Sequence, residues 1–120
     1  MHELSIAGAV HDTAMRHAAG RRVTSVAVRT GAMRQVVPSS LEFYFEIVAR
    51  DTLCQDAALT LTEVATELRC RACETRWSPQ IPAFRCPGCG GADVEITAGE
   101  ELEVEYIEVE QEEAACIAPR

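Results

Sequence analysis

Apolar residues recur every third or fourth position near the start of the chain, where Leu4, Ala7, Val10, Ala14 and Ala18 form one stripe. That spacing predicts a helix over residues 3–19. The stripe is mostly Ala and therefore narrow, which suits close packing against a sheet, and Gly20 is placed to stop the helix. RRVTSVAVRTG is dense in β-branched residues and predicts a strand over 22–30. Pro38-Ser39-Ser40 opens a second helix, and Ser39 with Glu42 fits a capping box. Leu41, Tyr44, Phe45 and Val48 make its buried stripe, with Phe43 and Ile47 widening it. ALTLTEVATEL alternates cleanly from Leu59 to Val64, as a half-buried strand does. ELEVEYIEVE resumes the alternation at Leu102, Val104 and Tyr106 and then changes phase at Ile107 and Val109. A bulge near 106–107, or burial of both faces, produces such a change.

Between the last two strands lies a Cys-rich stretch, residues 69–92. Strands on either side of it pair antiparallel only if the stretch is inserted at the end of a hairpin. The predicted fold is therefore α/β: a small sheet with two helices as the body, plus an inserted zinc-ribbon-like module with four Cys. The expected boundaries are 1–68 and 98–113 for the body, 69–97 for the module and 114–120 for a loose tail.

Composition narrows the function classes. The chain has 120 residues and a formal net charge of −8, and all 11 basic residues are Arg. An acidic chain lacks the positive charge that displaces counterions from nucleic acid, so nucleic acid is not an expected partner. No apolar run approaches the roughly 20 residues that span a bilayer, and no secretory pattern opens the chain. The expectation is a cytoplasmic protein that does not engage membranes. In that compartment paired Cys signify metal rather than disulfides.

Cys70, Cys73, Cys86 and Cys89 form C-x2-C-x12-C-x2-C. Each short turn brings two sulfurs to one side, and its backbone N–H groups hydrogen-bond the thiolates. Four thiolates give a soft tetrahedral site with no open position, suited to structural Zn(II) and compatible with iron in a rubredoxin-like site. A thioredoxin-type redox pair would need a βαβ context that is missing here. Trp77 and Phe84 read as a small core around the knuckles. Arg69, Arg71, Arg76 and Arg85 lie near them, with Glu74, Asp93 and Glu95 nearly cancelling their charge. Cys54 reads as a small buried residue and Cys116 as part of the tail, while His11 and His17, six apart, fall on different helix faces.

The chain starts MHEL. The Met1 amine, the His2 backbone nitrogen and the His2 imidazole can wrap one metal in fused chelate rings. A deprotonated amide favours square-planar Ni(II) or Cu(II) over Zn(II). Initiator Met before a His is expected to survive processing, and Glu3 adds a backbone nitrogen or a carboxylate. Protonation of the imidazole should weaken such a site below about pH 6.5. Nothing in the chain makes a nucleophile–base pair or a phosphate loop, so an enzyme is not expected.

MHELSIAGAV, VTSVAVRTG, VVPSSLEFYFEIVARDTLCQDAALTLTEV and CRAC…CPGCGGADVEITAGEELEVEYIEVE, taken in this order, resemble the HypA/HybF family of nickel metallochaperones. The likeness runs over about residues 1–110. It implies Ni(II) bound at Met1, His2 and Glu3, and structural Zn(II) held by Cys70, Cys73, Cys86 and Cys89. It also implies delivery to the large subunit of [NiFe]-hydrogenase with a HypB-type GTPase, and in some members service to urease and its accessory proteins. The chain departs from the family at Glu74, where Gly commonly follows the first knuckle, and at Ala32, where Glu is frequent. It also lacks the acid some members carry near Val36-Val37. The alternative is a zinc-ribbon adaptor for a protein or nucleic acid, without a specific nickel site.

Overall fold

A computed structural model describes residues 3–81 and 84–111. Helix α1 spans Glu3–Ala18 and buries Ile6, Ala7, Val10, Ala14 and Ala18. Leu4, expected in this stripe, is 51% exposed, and Ile6 takes the buried place. At about 100° per residue the two flank the stripe on opposite sides, and periodicity alone does not say which flank is covered. Ala19 and Gly20 both adopt positive φ, ending the helix where Gly20 indicated. Helix α1 packs against helix α2, Pro38–Ala49.

In α2 the buried residues are Leu41, Phe45 and Ala49. Phe43 and Ile47 do not widen this face; they are 57% and 38% exposed. They lie roughly 160° round the helix from the buried line, by the same 100° step. The capping box does not form either. Val37 is the N-cap, Pro38 occupies the first helical position, and no side chain of the cap residue bonds the helix start. Pro38, with its fixed φ and absent N–H, starts the helix one residue before Ser39 can act as a cap.

Strand β1, Val23–Gly31, has nearly every residue buried or half-buried, including Val26, Ala27 and Val28 in succession. The sheet order explains this: β1 is central, between β2 (Ala58–Val64) and β6 (Leu102–Val109). Contacts Thr24–Glu108, Arg29–Glu103 and Gly31–Glu101 step in opposite directions along β1 and β6, so these two run antiparallel. In β6, Glu105 and Tyr106 are exposed one after the other, and half-burial resumes at Ile107. The backbone pairs Arg22–Glu110 and Gly31–Glu101 are equally far apart on both strands, so no bulge enters β6; the phase change instead leaves Leu102 and Val104 half-buried on one face and Ile107 and Val109 half-buried on the other.

The strands beside the Cys stretch are two further, shorter ones. Strand β3, Glu67–Cys70, pairs antiparallel with β4, Arg76–Trp77, and with β5, Val94–Ala98. The register sets Leu68 opposite both Trp77 and Ile96, and Cys70 opposite Val94. Leu68 is fully buried and is the apolar centre of this small sheet. The described residues form two compact units: 3–28, 37–61 and 104–111 in one, and 29–36, 62–81 and 84–103 in the other. Among the described residues no helix is long and apolar enough to cross a membrane.

Candidate metal centre

The two C-x-x-C turns share one backbone device. The Cys70 carbonyl accepts from Glu74 N–H at 2.8 Å, and the Cys86 carbonyl accepts from Gly90 N–H at 2.8 Å. In each turn the residue after the second Cys is left-handed: Glu74 at φ 63° and Gly90 at φ 76°. That conformation suits Gly and costs a side-chain-bearing residue roughly 1–2 kcal/mol. Glu74 thus carries strain that Gly90, in the matching place of the second turn, avoids. The second turn also gives its first thiol two backbone donors, Gly88 N–H at 3.3 Å and Cys89 N–H at 3.4 Å from Cys86 Sγ.

Strand pairing closes the turns on each other. Cys70 Sγ lies 3.7 Å from Cys89 Sγ, and Cys73 Sγ lies 3.5 Å from Cys86 Sγ. All four ligand atoms fall within 4.8 Å of one another. A regular tetrahedron with Zn–S bonds of about 2.3 Å has S···S edges of about 3.8 Å. The cluster therefore has the size and donor set of a closed tetrahedral Zn(II) site. Cys70 and Cys86 are buried while Cys73 and Cys89 face outward, so the site lies at a surface but has no coordination position left for a substrate.

The thiols polarise one another. The Cys86 thiol is lowered to about 6, first by the N–H of Cys89 and then, among others, by that of Gly88. Cys73 is lowered, mainly by Thr75, whose hydroxyl sits 3.1 Å from its sulfur. Cys89 is raised to about 11: the Gly91 N–H pulls it down, but the three neighbouring thiols together outweigh that donor. One site thus holds thiols pushed in opposite directions, and a cation is what allows all of them to ionise together.

Charges round the module are paired. Arg69 bonds Glu95, Arg71 lies 2.9 Å from Asp93, and Arg76 lies 3.7 Å from Glu67. Arg85 donates to the Gly90 carbonyl at 3.1 Å. Trp77 and Phe84 are half-buried. The residues that sequence reasoning missed here are Leu68 and Thr75. Leu68 sits in a stretch read as the end of a longer strand, and Thr75 has no spacing signal.

Of the predicted nickel residues, Met1 and His2 lie outside the described residues. Glu3 is the first residue of α1, and its Oε2 accepts a hydrogen bond from Val37 N–H at 3.1 Å. His11 is occupied elsewhere: Nε2 is 3.0 Å from Thr52 Oγ1 and the ring meets Phe45 edge-on at 6.4 Å. His17 is exposed. Cys54 is fully buried, with its sulfur 3.8 Å from that of Met15, and burial raises its thiol. Cys116 lies outside the described residues. Among the described residues, the four knuckle Cys are the group of three or more His, Cys, Asp or Glu that converges in this way.

A family profile described as hydrogenase/urease nickel incorporation metallochaperone, HypA, matches residues 1–109. The hydrogenase maturation factor HypA of Geotalea uraniireducens is 41% identical over 110 residues, covering 92% of this chain and all of that protein. Its counterpart from Streptomyces avermitilis is 40% identical over 109 residues, covering 87% of this chain and 83% of the relative. The solution structure of the Ni metallochaperone HypA from Helicobacter pylori superposes with a TM-score of 0.69 at 26% identity, covering 93% of this chain and 100% of that one. A match that runs from Met1 through both knuckles to the last strand, together with a shared fold, places this chain in the HypA family of hydrogenase maturation factors.

Proposed function

We propose that this chain is a nickel carrier that binds Ni(II) at Met1, His2 and Glu3 and passes it on for maturation of [NiFe]-hydrogenase. Cys70, Cys73, Cys86 and Cys89 hold Zn(II) as a structural ion. The observation that carries this reading is the family match over residues 1–109, which takes in the MHE start and all four Cys. The closed thiolate site supports a structural role for zinc, because it offers the cargo no entry. The chain acts as a carrier and not an enzyme, in the cytoplasm, beside a HypB-type GTPase and the hydrogenase large subunit; urease accessory proteins are a second destination. The paired arginines beside the knuckles weigh against a nucleic-acid adaptor, since their charge is already met by acids or a carbonyl.

The chemistry is ligand exchange. Nitrogens of the first residues hold the ion from one side, so an acceptor approaches from the other and replaces donors one at a time. Placing one Gly ahead of Met1 converts the terminal amine to an amide and displaces His2 from the second position. Tight Ni(II) binding should disappear while zinc stays at one per chain by metal analysis. Undiminished nickel affinity in the extended protein would remove the amine from the site.

A further inference from the structure

Two of the four knuckle thiols face outward, and Cys73 is one of them. Its sulfur meets a side-chain oxygen, Thr75 Oγ1, at 3.1 Å. Thr75 follows Cys73 past the left-handed Glu74 and is half-buried. The first knuckle fixes its backbone, because the Thr75 carbonyl accepts the Cys70 N–H at 2.9 Å. The Thr75 hydroxyl reaches the second knuckle as well. A Cβ added at Gly88 would lie 2.9 Å from Thr75 Oγ1, nearer than the 3.6 Å to the Cys86 sulfur and the 3.7 Å to the Cys73 sulfur. The missing side chain at Gly88 therefore leaves the room that this hydroxyl takes. With the Cys73 and Cys86 sulfurs 3.5 Å apart, the hydroxyl stands where the two turns meet.

We propose that Thr75 is a positioning residue for the metal site: its hydroxyl holds the outward Cys73 sulfur in the tetrahedron and guards it where the two knuckles join. This rests on the reading that the four Cys hold Zn(II). A zinc-bound thiolate carries no proton, so in the loaded site the hydroxyl donates and the sulfur accepts. A hydrogen bond to a charged acceptor is directional and stronger than a neutral one. It fixes where the sulfur points and draws charge from it, which makes it a poorer target for protons and electrophiles. Cys86 obtains this service from the N–H groups of Gly88 and Cys89, which no side-chain change removes. At Cys73 part of it comes from a side chain, so it can be taken away without altering the turn.

Two substitutions separate the hydroxyl from the packing of the side chain. Thr75→Val keeps the shape and loses the donor; Thr75→Ser keeps the donor and loses the methyl. The experiment uses the untagged, zinc-loaded full chain, with zinc affinity read by competition with a chelator. Alongside it, iodoacetamide alkylation of each Cys is followed by peptide mass spectrometry. Thr75→Val should lower zinc affinity about tenfold, the scale for groups that support metal ligands, and speed alkylation at Cys73 ahead of the other three. Thr75→Ser should stay close to wild type in both. Wild-type affinity and Cys73 reactivity in Thr75→Val would overturn the proposal. Equal weakening in both variants, with all four Cys alkylated together, would make Thr75 a packing residue and overturn it as well. Metal analysis of the wild type distinguishes the layers: a chain that binds no zinc contradicts the zinc reading itself, and with it any role of Thr75 toward the metal.

Discussion

Replacing Cys86 with Ser should release zinc and unfold the Cys-rich strands, while the α1–α2 pair keeps its helicity. The reason is what the small sheet has for a core. Among the described residues of 67–98 the buried side chains are Leu68, Cys70 and Cys86, so two of the three are proposed ligands. A sheet of three short strands with one buried Leu cannot offset its own ordering entropy. Structural zinc contributes apparent free energies of roughly 10–16 kcal/mol in small modules, as large as the whole stability of a typical domain. Cys86 also anchors its turn by accepting the N–H groups of Gly88 and Cys89. Metal analysis should fall from one zinc per chain toward none, and amide protection should vanish over β3 and β5. Persistent protection in the zinc-free variant would show that the strands fold without the metal. The same account fixes the sign of the pH effect on the wild type. Cys86, at about 6, is mostly ionised at neutral pH, whereas Cys89, at about 11, gives its proton up only to the metal. Zinc retention against a chelator should therefore weaken as pH falls.

Gly31→Ala should be the most damaging small substitution outside the metal site. Gly31 has φ −78° and ψ 147°, an extended conformation open to any residue, so its role is space and not backbone freedom. A Cβ at Gly31 would lie 2.0 Å from both the carbonyl carbon and oxygen of Gly99, and 2.5 Å from Glu100 N. Those are backbone atoms, held where Gly99 O accepts Met33 N–H at 2.8 Å and Glu101 O accepts Gly31 N–H at 2.7 Å. Gly99 cannot easily shift, since it sits at φ 117° against Thr66. Overpacking of this kind costs about 3 kcal/mol or more, a fall in Tm of roughly 10–20 °C for a domain of this size. Gly8→Ala is the internal control. Nothing lies within 4 Å of its added Cβ, and inside α1 the change should stabilise by up to about 1 kcal/mol. Thermal unfolding followed by circular dichroism reads both. A Gly31→Ala protein melting with the wild type would show that this crossing is loose.

How far the sequence speaks depends on the range of the interaction that decides each feature. The four Cys were legible because the spacing that makes a knuckle lies within a few residues. The same holds for α1, β1, α2, β2 and β6, whose apolar periods are local. The features that were not legible are settled by partners far along the chain. Ile6 rather than Leu4 is buried because of what covers one flank of α1, which no period within α1 encodes. Ser39 and Glu42 had the letters of a capping box, but Pro38 began the helix early and the acceptor came from Glu3, 34 residues before Val37. Strands β3 and β5 alternate over too few residues to stand out, and their pairing, with Leu68 opposite Trp77 and Ile96, joins partners on either side of the metal turns. The left-handed turn at Glu74 has no Gly to mark it, unlike the matching turn at Gly90. The proposed nickel residues rest on chelate chemistry and family resemblance together, since one N-terminal His has no periodicity to read.

The most direct test of the central claim is a calorimetric Ni(II) titration of the untagged, zinc-loaded protein beside His2→Ala. Tight one-to-one binding by the wild type, and its loss in the variant with zinc content unchanged, is the predicted result. Equal binding by both proteins, or none by either, would contradict a nickel site at the first residues of this chain.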